Sequence, residues 1–338
     1  MIIVMKKGAD QALADNVVSM IHKLDLKPMP MIGTERTVIA VIGDERAIDQ
    51  HRIHAMPGVD RVMNVLDPYK LSSRETKHET TVIDLGDGVT IGGEKIAMMA
   101  GPCAVESEAQ MEAATKAVKD AGAQILRGGA FKPRTSPYSF EGLGPDGLKL
   151  LSDAAKRHGM KVITEVLDVR DIDAVAQHAD ILQIGTRNMS NFNLLKEVGK
   201  VKTPVLLKRG MSATVKELLL AADHIMSNGN QNVMLCERGI RTFETETRNT
   251  LALATVPLVK ELSHLPIIVD PSHSTGKPSL VSPVTLAAIA AGADGILIDV
   301  HPNPAEAMCD GDQAIKPDHF VELMGQLAPV AQAVNRTL

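Results

Sequence analysis

Hydrophobic positions divide the chain into a short leading region and a long region that follows it. In the leading region, short apolar runs predict strands at 2–5, 29–32, 38–42 and 59–65, and apolar residues at helical spacing predict helices over 13–24 and 48–56. The order βαββαβ is that of a ferredoxin-like α+β unit, which we place at residues 1–66. Such units occur as regulatory or oligomerising modules, and the fold alone does not decide between these roles.

A polar stretch at 67–80 has few side chains to bury, and we predict that it links two domains. The region that follows, 81–338, opens with a hairpin-like segment at 82–91. Eight apolar runs then alternate with helical patterns, and they predict strands at 96–100, 124–127, 161–166, 181–185, 205–208, 232–235, 267–270 and 295–300. This number and length match a (β/α)₈ TIM barrel of ~250 residues. A doubly wound sheet is the alternative, but Gly101-Pro102-Cys103 is not its glycine-rich fingerprint.

Composition narrows the classes of partner. Of 338 residues, 44% are hydrophobic but only 2% are aromatic, so the core must be aliphatic. The net charge of -5 offers no basic excess for nucleic acid or an anionic membrane surface. Three cysteines cannot form a disulfide framework and are typical of a reducing compartment. No apolar run approaches the ~20 residues of a membrane helix, and the N-terminus does not have the pattern of a signal peptide. We therefore expect a soluble, cytoplasmic protein.

Basic side chains recur where the predicted barrel strands end, which is where the active site of a TIM barrel is built. They are Arg127, Lys132, Arg134, Arg187, Lys208, Arg209 and Arg238. Any one of them could be paired with a nearby acid. A set of this size instead indicates a mouth that binds at least two anionic groups, because arginine suits bidentate binding of phosphate or carboxylate.

A second group of residues offers metal-ligand chemistry at the ends of the first, seventh and eighth barrel strands and shortly beyond the eighth. It consists of Cys103, His273, Asp299 and Asp310. Thiolate, imidazole and carboxylate together suit a divalent ion of the Mn, Fe, Co or Zn class far better than Mg or Ca. Cys236 and Cys309 are interpreted as ordinary buried thiols, and His301 either supports a ligand or is a satisfied histidine of the rim.

Several long motifs carry a resemblance to a known family over nearly the whole chain. They are the runs 101–107 (GPCAVES), 128–138 (GGAFKPRTSPY), 183–185 (QIG), 207–210 (LKRG), 270–276 (DPSHSTG) and 300–302 (VHP). In these motifs the chain resembles 3-deoxy-D-arabino-heptulosonate 7-phosphate (DAHP) synthases of the type I beta branch with an N-terminal ferredoxin-like domain. The resemblance implies condensation of phosphoenolpyruvate, erythrose 4-phosphate and water to DAHP and phosphate, the first step of the shikimate pathway.

The resemblance also implies roles for individual residues. Phosphoenolpyruvate would be held by Arg127, Lys132, Arg187, Lys208 and Arg238, and erythrose 4-phosphate by Arg134 and Thr135. The metal would be bound by Cys103, His273, Asp299 and Asp310. Asp299 departs from the family pattern, which usually has Glu before Val-His-Pro, and this leaves the metal preference open.

The implied mechanism assigns catalytic work to Cys103, Lys132, Glu165 and His273. The metal, held by Cys103 and His273, would polarise the aldehyde. Lys132, or a water on the metal, would supply the proton to the new alkoxide, and Glu165 would orient the water that adds at carbon 2. By the same resemblance the N-terminal domain would bind Tyr or Phe as an effector, with a purely oligomer-stabilising role as the alternative. The family also implies a homo-oligomer, a dimer or a tetramer.

Three other functions compete with this interpretation. A 3-deoxy-octulosonate 8-phosphate synthase would use arabinose 5-phosphate, but it lacks the N-terminal unit and reads Lys-Ala-Asn-Arg-Ser where this chain has KPRTS at 132–136. A class I aldolase would use Lys208 as a Schiff-base lysine. A non-catalytic scaffold with a sensing N-terminal module conflicts with the full set of rim residues.

Overall fold

The computed structural model describes residues 1–33, 36–43, 49–63, 68–134 and 136–338. The chain folds into two compact units, Met1–Glu79 and Thr80–Leu338. Among the described residues, no helix combines the length and the apolar character needed to cross a membrane.

The first unit has the predicted ferredoxin-like arrangement. Its elements are β1 (Ile2–Met5), α1 (Gln11–His22), β2 (Lys27–Ile32), β3 (Thr37–Ile42), α2 (Gln50–His54) and β4 (Val59–Met63). The strands form an antiparallel sheet in the order β2-β3-β1-β4. Asp10 starts α1 by accepting a hydrogen bond from the Leu13 amide at 2.9 Å, and the buried side of the helix packs into the apolar core of the unit. The predicted ends at 48 and 65 lie outside the described residues.

Residues 68–79 belong to this first unit rather than to an extended connection. Tyr69 and Leu71 are buried, as are Ser72, Ser73 and Thr76. The expectation that this stretch has few side chains to bury is therefore wrong. An aromatic ring and a leucine give even a short polar segment apolar surface to bury.

The second unit is the predicted TIM barrel. Its strands are β5 (Ile83–Asp84), β6 (Thr90–Ile91), β7 (Ala97–Gly101), β8 (Ile125–Arg127), β9 (Lys161–Glu165), β10 (Ile181–Ile184), β11 (Val205–Lys208), β12 (Val233–Glu237), β13 (Ile267–Val269) and β14 (Gly295–Asp299). Its helices are α3 (Glu108–Asp120), α4 (Pro145–Arg157), α5 (Ile172–His178), α6 (Phe192–Val198), α7 (Val215–Met226), α8 (Thr255–Leu262), α9 (Pro271–Thr275), α10 (Pro278–Ala290) and α11 (Pro317–Ala333). Within the described residues, β7 to β14 pair in parallel and close into a barrel, so a doubly wound sheet is excluded.

Aliphatic side chains fill the barrel interior, as the low aromatic content predicts. One buried cluster joins residues from all eight barrel strands, among them Met99, Ile163, Leu206 and Leu297, with the β5–β6 hairpin. Because the eight strands are parallel, their carboxyl ends meet at one rim. The packed interior fixes the positions of the side chains that follow each strand.

Candidate active site

A cavity of about 470 Å³ opens at the carboxyl ends of the barrel strands. Nine of the predicted site residues line it, namely Arg127, Lys132, Arg134, Glu165, Arg187, Lys208, Arg238, His273 and Asp310. Six of the seven predicted rim cations therefore face one space. Thr135, predicted to bind the sugar phosphate, lies outside the described residues.

Arg209 is the exception among the cations. Its guanidinium lies 2.7 Å from the Glu237 carboxylate and 3.0 Å from the Thr255 hydroxyl, and it does not line the cavity. The placement of Arg209 in the anion-binding mouth is therefore wrong. A buried acid on the neighbouring strand neutralises it.

Arg238 has the opposite environment. Its side chain is only 4% exposed, yet among the described residues its Nε and Nη1 have no hydrogen-bond partner. Burial lowers the pKa of the guanidinium, with Asp270 opposing this shift. A buried cation with unsatisfied donors is costly, and an anion in the cavity that Arg238 lines would offset its charge.

Other cations of the mouth are held in place by the protein. Lys208 forms a buried ion pair with Asp270. Arg127 donates to the Pro102 carbonyl at 2.8 Å and lies 2.9 Å from Asp299 Oδ1. These contacts preorganise the positive groups, so that a bound anion need not order them.

The four predicted metal ligands come together at one side of the cavity. The ligand atoms of Cys103, His273 and Asp299 all lie within 4.8 Å of one another. Asp310 Oδ2 lies 3.2 Å from Cys103 Sγ and 3.7 Å from His273 Nε2. Cys103 and Asp299 are buried, His273 and Asp310 are partly buried, and the donor set is that of a transition-metal site.

The hydrogen bonding around Asp299 also fits a cation. Asp299 is fully buried, and Gln313 donates to its Oδ2 at 2.6 Å. Its Oδ1 has no aligned hydrogen bond from the described residues, although Arg127 is near. A buried carboxylate oxygen left in this way can still coordinate an ion.

Asp270 orients the histidine of this group. Its carboxylate lies 2.9 Å from His273 Nδ1 and accepts a hydrogen bond from the backbone amide of His273. Because Nδ1 is held by Asp270, the other ring nitrogen, Nε2, faces Cys103 and Asp310. Burial alone would raise the pKa of Asp270, but His273 and Lys208 hold that pKa well below its usual range. A carboxylate behind a ligating imidazole is the usual support of a metal-binding histidine.

Two backbone features bring these residues together. Gly101 has a φ of 151°, and a Cβ there would collide with the Arg127 carbonyl, so only glycine allows β7 to turn towards Cys103 at this point. Asp310 itself adopts a left-handed conformation, with a φ of 53°. Aspartate is one of the few non-glycine residues that adopt this conformation without a large steric cost.

His301 supports the loop that carries Asp310. Its Nε2 lies 3.3 Å from Glu106, and its Nδ1 accepts the Asn303 amide. Glu106 also accepts a hydrogen bond from the backbone amide of Met308 at 2.8 Å, two residues before Asp310. His301 is therefore a satisfied structural histidine and does not line the cavity.

Two residues that line the cavity were missed by the prediction from sequence. Arg248 lines the cavity, donates to Gln313 at 2.6 Å and lies 3.2 Å from Asp310. Cys309 was interpreted as an ordinary thiol, but it lines the cavity and lies 3.8 Å from Cys103 Sγ. The hydrogen bond with Cys103 lowers the pKa of Cys309 to about 7, with burial opposing and Lys132 and Arg134 assisting. Arg248 lies in the loop between β12 and α8, well beyond the first residues after the strand, which is why the strand-end rule missed it.

The fold and the site together define a TIM barrel whose cation-rich cavity adjoins a cluster of thiol, imidazole and carboxylate groups. Comparison with known families agrees with this class. Residues 75–336 match the model of the DAHP synthetase I family, and residues 1–67 match the DAHP synthase ferredoxin-like domain. The chain belongs to the DAHP synthetase I family.

Individual relatives follow the same pattern. A phospho-2-dehydro-3-deoxyheptonate aldolase of Thermotoga maritima is 48% identical over 99% of both chains. The crystal structure of a Thermotoga maritima protein of that name, also called DAHP synthase, superposes with a TM-score of 0.79 and covers 99% of this chain and 98% of its own. A 2-dehydro-3-deoxyphosphooctonate aldolase of Syntrophotalea carbinolica is 28% identical over 73% of this chain and 95% of its own.

Proposed function

We propose that the protein condenses phosphoenolpyruvate with erythrose 4-phosphate and water to give DAHP and inorganic phosphate. The observation that carries this proposal is that six cations and the predicted ligands His273 and Asp310 line one cavity. Two phosphates and a carboxylate need such a set of positive charges, and the aldehyde needs an electrophilic centre beside them.

The proposed binding roles follow from position in the cavity. Arg127, Lys132, Arg187, Lys208 and Arg238 hold the phosphate and carboxylate of phosphoenolpyruvate, and all five line the cavity. Arg134 and Thr135 hold the phosphate of erythrose 4-phosphate. These contacts place carbon 3 of phosphoenolpyruvate against the aldehyde, which converts an encounter of two substrates into a step within one complex.

Cys103, His273, Asp299 and Asp310 would hold a divalent cation of the Mn, Fe, Co or Zn class. Such an ion, when bound, supplies Lewis-acid polarisation of the aldehyde oxygen. Lys132 Nζ, which lies 2.9 Å from the Cys103 carbonyl, gives its proton to the oxygen that becomes the new hydroxyl.

Glu165 is proposed to orient the water that adds at carbon 2, after which phosphate leaves by cleavage of its C–O bond. The Glu165 carboxylate lines the cavity and accepts a hydrogen bond from Gln183 at 3.3 Å. Gly185 leaves the space that this carboxylate occupies, because a Cβ at Gly185 would overlap Glu165 Oε1.

The reaction is tested by phosphate release from phosphoenolpyruvate, with erythrose 4-phosphate and arabinose 5-phosphate assayed side by side. We expect kcat/KM to favour the four-carbon sugar by about 10²-fold or more, because one carbon more displaces the aldehyde from the site. A chelator should abolish turnover, and a divalent ion of the proposed class should restore it. Preference for arabinose 5-phosphate would contradict the substrate, and full activity in chelator would contradict the metal.

The Schiff-base alternative is not favoured by the environment of Lys208. Its Nζ is held in an ion pair with the buried Asp270 carboxylate. A Schiff-base lysine must instead lose its proton to attack a carbonyl. Lys208 therefore fits the binding of an anion better than nucleophilic catalysis.

We also propose that the ferredoxin-like unit is regulatory and binds Tyr or Phe. The match of residues 1–67 to the DAHP synthase ferredoxin-like domain supports a role specific to this family. Addition of Tyr or Phe to the assay should lower the initial rate, while Leu, an apolar amino acid without an aromatic ring, should not. An unchanged rate with both aromatic amino acids would leave oligomer stabilisation as the role. Assembly of the protein into a homo-oligomer, a dimer or a tetramer, stays a prediction.

A further inference from the structure

We propose that Cys309 is a second sulphur ligand of the cation centre and makes this centre bind thiophilic ions such as Zn²⁺ and Cd²⁺. The inference rests on the proposed metal centre and adds a donor to it. Cys309 then takes the place of Asp299 when the bound ion is soft.

The distance between the two sulphurs carries the argument. Cys103 Sγ and Cys309 Sγ lie 3.8 Å apart, and both lie within 4.8 Å of the Asp310 carboxylate. Two thiolates on one tetrahedral zinc ion, with Zn–S bonds of ~2.3 Å, lie about 3.8 Å apart. The pair is thus spaced for a shared ion, well beyond the ~2.05 Å of a disulfide.

Each of the two sulphurs has a positively charged donor beside it. Lys132 Nζ lies 3.1 Å from Cys103 Sγ, and Arg134 Nη1 lies 2.8 Å from Cys309 Sγ. Each sulphur thus accepts a hydrogen bond from its own cation. When an ion is bound its sulphur ligands are thiolates, and the two cations would offset part of their negative charge.

Apolar side chains pack against the sulphurs of Cys103 and Cys309. Cys103, Ala104 and Cys309 form a buried cluster, and the Phe140 ring packs against it. Exclusion of water from one side of the sulphurs strengthens their interaction with an ion. Cys236, by contrast, lies in the aliphatic interior of the barrel, apart from the cations at these two thiols.

Two overlapping groups of donors meet at Cys103. Cys103, Cys309 and Asp310 lie within 4.8 Å of one another, as do Cys103, His273 and Asp299, and His273 Nε2 lies 3.7 Å from Asp310 Oδ2. We therefore assign Cys103, His273 and Asp310 to the centre in both cases, with Asp299 or Cys309 as the fourth ligand. With Asp299 the ligands are one sulphur, one nitrogen and two oxygens, which suit Mn²⁺ or Fe²⁺. With Cys309 they are two sulphurs, one nitrogen and one oxygen, which suit Zn²⁺ or Cd²⁺. The softness of the ion selects the fourth ligand.

The test titrates the metal-free full-length protein with Cd²⁺ under a phosphine reductant and follows the ultraviolet thiolate-to-metal charge-transfer absorption. We expect the absorption per bound ion to fall to about half in Cys309→Ser, because one of two sulphurs is lost. Cys103→Ser should cause a similar fall. Cys236→Ala is the control and should leave the signal unchanged, whereas Mn²⁺ binding by electron paramagnetic resonance should survive in Cys309→Ser.

The possible failures are distinguishable. Equal absorption per ion in wild type and Cys309→Ser would overturn the role of Cys309 while leaving the metal centre in place. Absence of stoichiometric Cd²⁺ and Mn²⁺ binding to the wild type would overturn the centre itself. If the variant does not fold, cadmium NMR of the wild type counts the sulphur ligands directly, and a chemical shift typical of one sulphur contradicts the inference.

Discussion

Arg238→Met should lose kcat/KM for phosphoenolpyruvate by about 10²–10³-fold and yet unfold at a higher temperature than the wild type. The loss follows because one preorganised donor to the substrate's negative charge disappears. The gain follows because the free protein no longer buries a guanidinium whose Nε and Nη1 have no partner among the described residues. Opposite signs in activity and stability distinguish a binding residue from a structural one.

Calorimetry with and without phosphoenolpyruvate measures both effects. The ligand should raise the wild-type midpoint, since it binds only the folded state, and should raise that of Arg238→Met far less. Arg209→Met is the matched control. It should lower the midpoint, because it leaves the fully buried Glu237 carboxylate unpaired at a cost of about 3–5 kcal/mol. A lower midpoint for Arg238→Met would contradict the cost of burying the guanidinium, and unchanged ligand stabilisation would show that the site does not use Arg238.

Arg209 and Arg238 show why the sequence was sufficient to predict which residues lie at the rim but not the role of each one. Both follow barrel strands, and the strand-end rule treats them alike. Successive side chains of a strand, however, point to opposite sides. Lys208 and Arg238 line the cavity, while their chain neighbours Arg209 and Glu237 pair with each other away from it. Applying the alternation strictly would have separated the two groups.

Other parts of the site depend on loop conformation, which no periodicity encodes. The apolar runs were sufficient to predict the eight barrel strands to within two residues at each end, because period and burial are local properties. Cys309 Sγ lies 3.8 Å from Cys103 Sγ in a loop where the next residue, Asp310, adopts a left-handed conformation. Arg248 and Gln313 are 65 residues apart, and their 2.6 Å hydrogen bond exists only in the folded barrel. Such contacts between long loops leave no pattern in either segment.

Lys132→Met should lower kcat by about 10²–10⁴-fold, the range for loss of a positioned proton donor. Burial would lower the pKa of Lys132, but the neighbouring sulphurs of Cys103 and Cys309 raise it, so the ammonium form carries the proton to be transferred. Steady-state kinetics with both substrates measure the effect. Lys116→Met, which breaks an exposed ion pair with Asp120 on α3, is the control and should retain wild-type kinetics.

Lys132→Arg separates charge from proton transfer at the same position. Arginine keeps the positive charge beside Cys103 Sγ, but it holds its proton too tightly to donate it. If Lys132 is the proton donor, Lys132→Arg should recover the KM for phosphoenolpyruvate and leave kcat low. Recovery of kcat to within about threefold of wild type would instead assign Lys132 to charge stabilisation alone. Metal content must be equal in all variants, because Lys132 contacts a proposed ligand and a lost ion would also lower kcat.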